Sequence, residues 1–301
     1  MIKKDTQGVT FAKGFTAAGV KAGIKKSGNL DVAVIYTKTQ AVVAGTFTQN
    51  KVAAAPVYVS KEVVATGTAH AIVANAGCAN ACTGQQGLDD AHKMAQIAAD
   101  ELGVNADDVI VGSTGVIGVN LPMDKLEAGI KDAVANLSAD GSGNAGRAII
   151  TTDTHSKSVT CEFELSGKTV RMGAIAKGSG MIRPNMATML CYITTDIAID
   201  QTLLQKAVSG CVEKSFNMIS VDGDMSTNDM VIVLANGEAN NAKITEENAD
   251  YQIFFDKLMM LCTELAKQIA ADGEGASKFL TINVKGAKSF ADAKTVGMAI
   301  A

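Results

Sequence analysis

Tryptophan is absent from the 301 residues, and aromatic side chains make up only 4% of them. A core with so few large rings has to be packed from small and branched side chains, and Ala, Gly, Val and Met are abundant. Positive charge is not in excess either. The 27 Lys and Arg face 31 Asp and Glu, for a formal net charge of -4. That balance argues against a nucleic-acid or anionic-membrane surface, which needs clustered cations. The basic pairs Lys3-Lys4 and Lys25-Lys26 therefore read as solvated surface. No run of 18 apolar residues occurs, so no membrane-spanning helix is expected. The opening "MIKKDTQGVTFAKGF" lacks the apolar stretch of a signal peptide, and the expected address is the cytoplasm.

The six cysteines, Cys78, Cys82, Cys161, Cys191, Cys211 and Cys262, are scattered among apolar or small neighbours and read as reduced core thiols. Cys78 and Cys82 have no second Cys/His pair nearby to complete a zinc site. Histidine is equally scarce. His70, His92 and His155 have no Cys or Asp at triad or ligand spacing, so a base for catalysis has to come from elsewhere. What remains is ample apolar material: 47% hydrophobic and 19% charged, enough for one large domain or two ordinary ones.

The patterning mixes strands and helices. Residues 32–37, 41–48 and 70–75 are β-branched and apolar or alternating, as strands are. "LDDAHKMAQIAADEL" (88–102) spaces Leu, Met, Ile and Ala helically, with an acidic first turn and Gly103 after its end. A strand at 108–112 and a helix near 122–136 follow. "SGK" separates runs 158–165 and 169–176 and predicts a hairpin. Beyond residue 188 come a strand "MLCYITTDIAI", a helix over 201–214, a strand over 229–236 and a long helix over 246–271. A strand over 279–286 and a last helix from Ser289 complete the expectation. The element order predicts layered α/β with antiparallel pairing rather than a regular βαβ wind.

Three loops invite chemistry. "DGDMSTND" (222–229) has the alternation of a calcium loop, but Thr227 replaces the glycine and Val233 stands at the closing-glutamate position. It reads as an acidic turn capping the next strand. "GSTGVIG" (112–118) follows a strand without the ending of a phosphate loop; a tight turn is the plainer reading, and a turn presenting backbone N–H groups as an oxyanion hole is the other. "KGSGMIRPNMATMLCYIT" (177–194) runs a glycine- and proline-bearing loop into a strand starting near Thr188. A β-branched residue entering a sheet is the bland account. If instead the bond between Ala187 and Thr188 breaks, Thr188 gains an α-amine with a pKa of about 7.7–8.0, and one residue supplies nucleophile and base. Gly178, Gly180 and Pro184 would then help to bend the peptide that the hydroxyl cuts.

Taken together, "KGSGMIRPNMATML", "GSTGVIG", "TTDT", "DGDMSTND", "ADGEGASK", "TFTQNKVAAAPV" (46–57) and "NAGCANACTG" (75–84) closely resemble the glutamate N-acetyltransferase / ornithine acetyltransferase family of arginine biosynthesis. The resemblance spans essentially the whole chain. It implies an α-β-β-α sandwich of N-terminal-nucleophile type and a precursor that cuts itself between Ala187 and Thr188. Residues 1–187 would form an alpha chain and 188–301 a beta chain, intertwined in one catalytic domain. It implies that Thr188 takes an acetyl group from N-acetylornithine and passes it to glutamate in a ping-pong exchange, with Thr114 and Gly115 as the oxyanion hole. Thr151, Lys177, Thr188 and Glu274 would contact substrate, and two alpha and two beta chains would form a heterotetramer.

No metal or organic cofactor is implied; acetyl-CoA as a second acetyl donor stays open. Relative to the family pattern the chain stops at Ala301, before a C-terminal Asn and Thr that complete the pocket, so a truncated product is expected. Arg183 adds a charge to the loop before the cleavage site. Two alternatives stand beside the leading reading. One is an amidohydrolase or aminopeptidase using the same threonine with water as acceptor; the other is an inactive fragment retaining only assembly surfaces.

Overall fold

The structure is a computed structural model and describes residues 7–183 and 189–301, together with the backbone of the strand Ile2–Lys3. In chain order the elements are β1 (Ile2–Lys3), β2 (Phe15–Val20), β3 (Val32–Phe47), α1 (Ala55–Thr66), β4 (Thr68–Cys78), α2 (Gly84–Leu102), β5 (Val109–Val116) and α3 (Met123–Ala135). Then follow α4 (Ser142–Ile149), β6 (Lys157–Leu165), β7 (Lys168–Lys177), β8 (Leu190–Thr195), α5 (Gln201–Glu213), β9 (Met230–Ala235), α6 (Ala249–Ala271) and α7 (Phe290–Ile300).

Among the described residues, nine strands are hydrogen-bonded into one mixed sheet of order β1-β6-β7-β8-β9-β3-β4-β5, with β2 also paired to β3. Of these strand pairs, β4/β5 and β8/β9 are parallel and the rest antiparallel. The two strands expected at 32–37 and 41–48 are one, β3, and its pairing shifts register between Tyr36 and Ala41. Its first half pairs with β2 and β4; its second pairs with β9, with Ala41 and Val42 still against β4. The shift turns one sheet into two facing layers. Ile35, Ile72 and Ile110 of one layer meet Leu190, Tyr192, Ile232 and Leu234 of the other in a shared core. Outside one layer lie α5 and α6, and outside the other α2 and α3. The α-β-β-α sandwich is therefore present, with continuous hydrogen bonding through β3 joining its two β layers.

Local signals explain most boundaries. The hairpin between β6 and β7 turns on Ser166 (φ 46°) and Gly167 (φ 79°), the paired positive angles of a type I′ turn. Helix α2 ends at Gly103 in the left-handed conformation. Helix α6 begins later than the expected 246, because the Asn248 side chain accepts the Tyr251 N–H at 3.0 Å and caps it. It buries Phe254, Leu258, Leu261, Leu265 and Ile269 along one face, each contributing about 1.5–3 kcal/mol of apolar transfer.

Other expectations need correction. Residues 279–286 form no strand and are largely exposed; they find no sheet edge to pair with among the described residues, and strand backbone needs a partner. The β1, β2, α1 and α4 segments carry too little periodicity to stand out, and contacts from distant elements hold them. Helix α4 lies against β2 so closely that a side chain at Gly141 would strike the Ala17 carbonyl. All six cysteines are free, five of them buried, while Cys82 is exposed rather than in the core.

One packing detail carries a prediction. A Cβ on Gly112 would collide with the Tyr192 hydroxyl, which is buried with no hydrogen-bond partner among the described residues. The ring is enclosed on all sides and cannot withdraw. Gly112→Ala is expected to lower stability by about 1–3 kcal/mol in chemical denaturation. Tyr192→Phe removes the clashing, unsatisfied oxygen and should recover part of that loss in the double variant.

Candidate functional site

The ends of β5 and β7 and the starts of β8 and β9 meet at one edge of the sandwich. Val231 pairs with Cys191 in β8 and with Thr46 in β3. Lys177 closes β7 opposite Leu190. Its amine, on a residue only 2% exposed, donates to Thr151 Oγ1 at 2.9 Å and to Thr114 Oγ1 at 3.5 Å, and stands 3.7 Å from Asp153 Oδ2. Three residues far apart in the chain, Thr114, Thr151 and Lys177, are thus in direct contact. Glu274 joins them through the loop: its N–H donates to Ser179 O at 2.6 Å, and its carboxylate covers Gly180, where a Cβ would lie 2.6 Å from Oε2. Thr188 and Ala187 lie outside the described residues.

The "GSTGVIG" segment is not a turn from its first glycine. Residues 112–116 remain in β5, because β4 runs alongside to Cys78, and the register slips at Gly77 and Cys78. Gly115 sits in that slip with φ 132°, and a Cβ there would collide with Gly77 and lie 2.7 Å from Cys78 N. Only glycine fits, and its exposed backbone stands beside the nearly buried Thr114. Buried amides support this edge. Ser113 Oγ donates to Asn75 Oδ1 at 2.6 Å, and Asn228 Nδ2 donates to Ala79 O at 2.6 Å and Ser113 O at 2.9 Å.

Behind Lys177 lies a buried charge network that the sequence reading did not anticipate. Lys157, fully buried, donates to Asp153 Oδ1 at 2.8 Å and to Asp272 Oδ2 at 2.6 Å. Asp153 also accepts the Gly178 N–H at 2.6 Å and the Thr151 N–H at 3.1 Å, so one carboxylate holds two site residues at once. Asp272 accepts the Thr154 N–H at 3.1 Å and the Thr154 hydroxyl. Burial by itself raises the Asp153 carboxyl, but the Lys177 and Lys157 charges and their hydrogen bonds outweigh it and hold it below its usual value. Burial lowers the Lys177 amine from the ordinary lysine range, and the Asp153 and Asp229 charges offset this only in part.

Lys25, expected on the surface, is half-buried: its amine donates to Leu30 O at 2.6 Å and to Ala148 O at 3.1 Å, capping the carbonyl end of α4 that leads to Thr151. Burial pulls its pKa down to about 8.

The acidic loop 222–229 does more than cap β9. Asp222 accepts the Met181 and Ile182 N–H groups and holds the loop after Lys177. Asp229, fully buried, accepts the Met189 N–H at 3.0 Å on Oδ1. Alternating acids in a loop rich in Ser, Thr and Asn were the available signal; which backbone groups they reach is a tertiary fact.

The sequence profile described as "ArgJ family" matches residues 16–301. The chain belongs to the ArgJ family. It is 50% identical over 295 residues to the arginine biosynthesis bifunctional protein ArgJ of Symbiobacterium thermophilum, covering 97% of this chain and 73% of that protein. It is 47% identical over 300 residues to the Bacillus subtilis ArgJ, with coverage of 99% and 73%. Among solved structures it resembles ornithine acetyltransferase complexed with ornithine from Mycobacterium tuberculosis, at 40% identity and TM-score 0.57, covering 63% of this chain and 100% of that one. An L-aminopeptidase D-Ala-esterase/amidase of Ochrobactrum anthropi, a variant of the Ntn hydrolase fold, aligns over 90% of this chain and 87% of its own at TM-score 0.55. At 12% identity that likeness to an ArgJ chain concerns the fold alone.

Proposed function

We propose that this chain is the glutamate N-acetyltransferase of arginine biosynthesis, moving an acetyl group from N-acetylornithine to glutamate through an ester on Thr188. Family membership supports the reaction class, and the M. tuberculosis relative is an ornithine acetyltransferase complexed with ornithine. The observation that carries the reading is the buried Lys177 amine held against Thr151 and Thr114 at the entrance to β8. An ammonium fixed there pairs with a substrate carboxylate, and Glu274 across the 178–180 loop pairs with a substrate ammonium. The Thr114 hydroxyl and the Gly115 N–H serve the oxyanion of each tetrahedral intermediate, a role worth about 3–4 kcal/mol per donor.

Thr188 acts after the bond from Ala187 is cut, its α-amine serving as base for its own hydroxyl. The sheet is suited to such a cut. Strands β8 and β9 lie downstream of residue 188 yet sit between β7 and β3, so the two chains of the proposed cut would be held together by strand pairing. Two of each chain would form the heterotetramer, in the cytoplasm; among the described residues no helix is long and apolar enough to cross a membrane. The "bifunctional" in the relatives' names extends the proposal to a second acetyl donor, acetyl-CoA.

Intact-mass spectrometry of the purified protein tests the reading. Two chains, ending at Ala187 and beginning at Thr188, are expected, and incubation with N-acetylornithine should leave one acetyl group on Thr188. Glutamate should discharge it much faster than water. A single uncut chain, or equal discharge by water, would overturn the assignment, the second outcome in favour of a hydrolase.

A further inference from the structure

Lys157 opens β6, fully buried, and its two carboxylate partners each reach to within a step of a residue assigned to substrate. At one end, Asp153 Oδ1 accepts the Gly178 N–H at 2.6 Å, on the peptide that follows Lys177. Its Oδ2 accepts the Thr151 N–H at 3.1 Å and stands 3.7 Å from the Lys177 amine. At the other end, Asp272 closes α6 two residues before Glu274, so their α-carbons are at most roughly 7 Å apart. Between these ends the Lys157 amine bridges Asp153 Oδ1 at 2.8 Å and Asp272 Oδ2 at 2.6 Å.

Three chain segments, 151–154, 177–180 and 272–274, are stitched together around this bridge. Thr154 donates its N–H to Asp272 at 3.1 Å, and its hydroxyl binds the same carboxylate. The Thr152 and Ser179 hydroxyls are 2.6 Å apart, and Ser179 O accepts the Glu274 N–H at 2.6 Å. The backbone that carries the Lys177 amine and the backbone that carries the Glu274 carboxylate are thus held at one spacing, with Lys157 between them. Stability alone is a poor reason for such a bridge. Apolar side chains of similar volume often serve a buried position as well as an ion cluster does. What the bridge adds is a fixed distance, because both carboxylates must stay within hydrogen-bond range of one amine.

We propose that Lys157 is a spacer that, through Asp153 and Asp272, sets the distance between Lys177 and Glu274 and so selects the length of the donor. This rests on the substrate contacts proposed above. A diamino acid acetylated on its α-nitrogen keeps two charges, the carboxylate and the side-chain ammonium. Lys177 meets the first and Glu274 the second, so the number of methylenes between them has to match the gap. Lys157 itself touches no substrate. It is a positioning residue, and its effect shows in discrimination between donors rather than in the chemistry.

The test measures kcat/KM for acetyl transfer to glutamate from the Nα-acetyl derivatives of 2,4-diaminobutyrate, ornithine and lysine, which differ by one methylene each. The proteins are the unaltered chain, Lys157→Arg and Asp272→Asn, each checked for folding by urea denaturation. The unaltered chain should prefer the ornithine donor by about 10–100-fold over either neighbour, the scale of one methylene in a fitted pocket. Lys157→Arg keeps the charge but widens the bridge. Its preference for the ornithine over the lysine donor should fall about 10-fold, chiefly through KM. Asp272→Asn keeps the volume but slackens the bridge, and both preferences should narrow.

Equal slowing with all three donors, or normal rates with the ratios unchanged, would overturn the role and leave Lys157 a structural ion partner. So would an unaltered chain that uses all three donors alike. Should Lys157→Arg not fold, the ratios of Asp272→Asn decide in the same way. An unaltered chain that transfers acetyl from none of the donors would instead remove the proposed function, and the spacer with it.

Discussion

Lys157→Met is expected to destabilise the protein by about 3–5 kcal/mol, the cost of removing one partner from a buried ion cluster. Lys157 is fully buried and is the cation shared by Asp153, at 2.8 Å, and Asp272, at 2.6 Å. Without it Asp272 keeps Thr154, while Asp153 keeps two N–H donors and a Lys177 charge 3.7 Å away. Those donors do not replace a full charge in a dry interior. Against total stabilities of about 5–15 kcal/mol this is a large fraction, and urea denaturation would measure it directly. A loss below about 1 kcal/mol would show that the cluster is effectively solvated.

The same cluster sets an acid limit. The folded Asp153 and Asp272 carboxyls both sit below their ordinary values: burial opposes this, and the lysine charges and hydrogen bonds prevail. For a depressed carboxylate the stabilisation is present above the unfolded pKa, about 3.9, and is lost as pH falls through the folded values. Stability should therefore decline below about pH 4 in the unaltered protein. In Lys157→Met this decline should be shallower, because without the cation that lowered both acids their folded values move back towards the unfolded ones.

Thr188→Ala should abolish both processing and acetyl exchange. A covalent nucleophile has no substitute in the site: the residual effect of binding and oxyanion donors leaves activity reduced by roughly 10^5–10^6-fold. The variant should run as one uncut chain on a denaturing gel and take up no acetyl group from N-acetylornithine. Its fold should survive, because the sheet positions of β8 and β9 depend on their pairing with β7 and β3. Normal processing of Thr188→Ala would remove Thr188 from its role, whatever the transfer assay showed.

The local elements with strong patterns were legible from sequence: the Ser166-Gly167 hairpin, the apolar face of α6, and the α2 stop at Gly103. The motif set also pointed to the site, and Thr114, Thr151 and Lys177 do come together. Each of these depends on residues near one another in the chain or on a run of motifs in fixed order. Other features depended on which elements meet. Nothing in "VAVIYTKTQAVVAGTF" says that β3 stays one strand and slips register at Tyr36, yet that slip makes two layers from one sheet. A 279–286 segment with strand composition finds no edge and stays exposed.

Charge was the hardest to foresee. A Lys or Asp is written the same whether solvated or buried, and the difference lies in partners as distant as Asp272 is from Lys157, 115 residues along the chain. Sequence alone thus determined the strongly patterned elements, the family resemblance and the chemistry-bearing loops. Tertiary packing decided that Lys177, Lys157 and Asp229 are buried, because desolvation and pairing exist only once those loops close on one another.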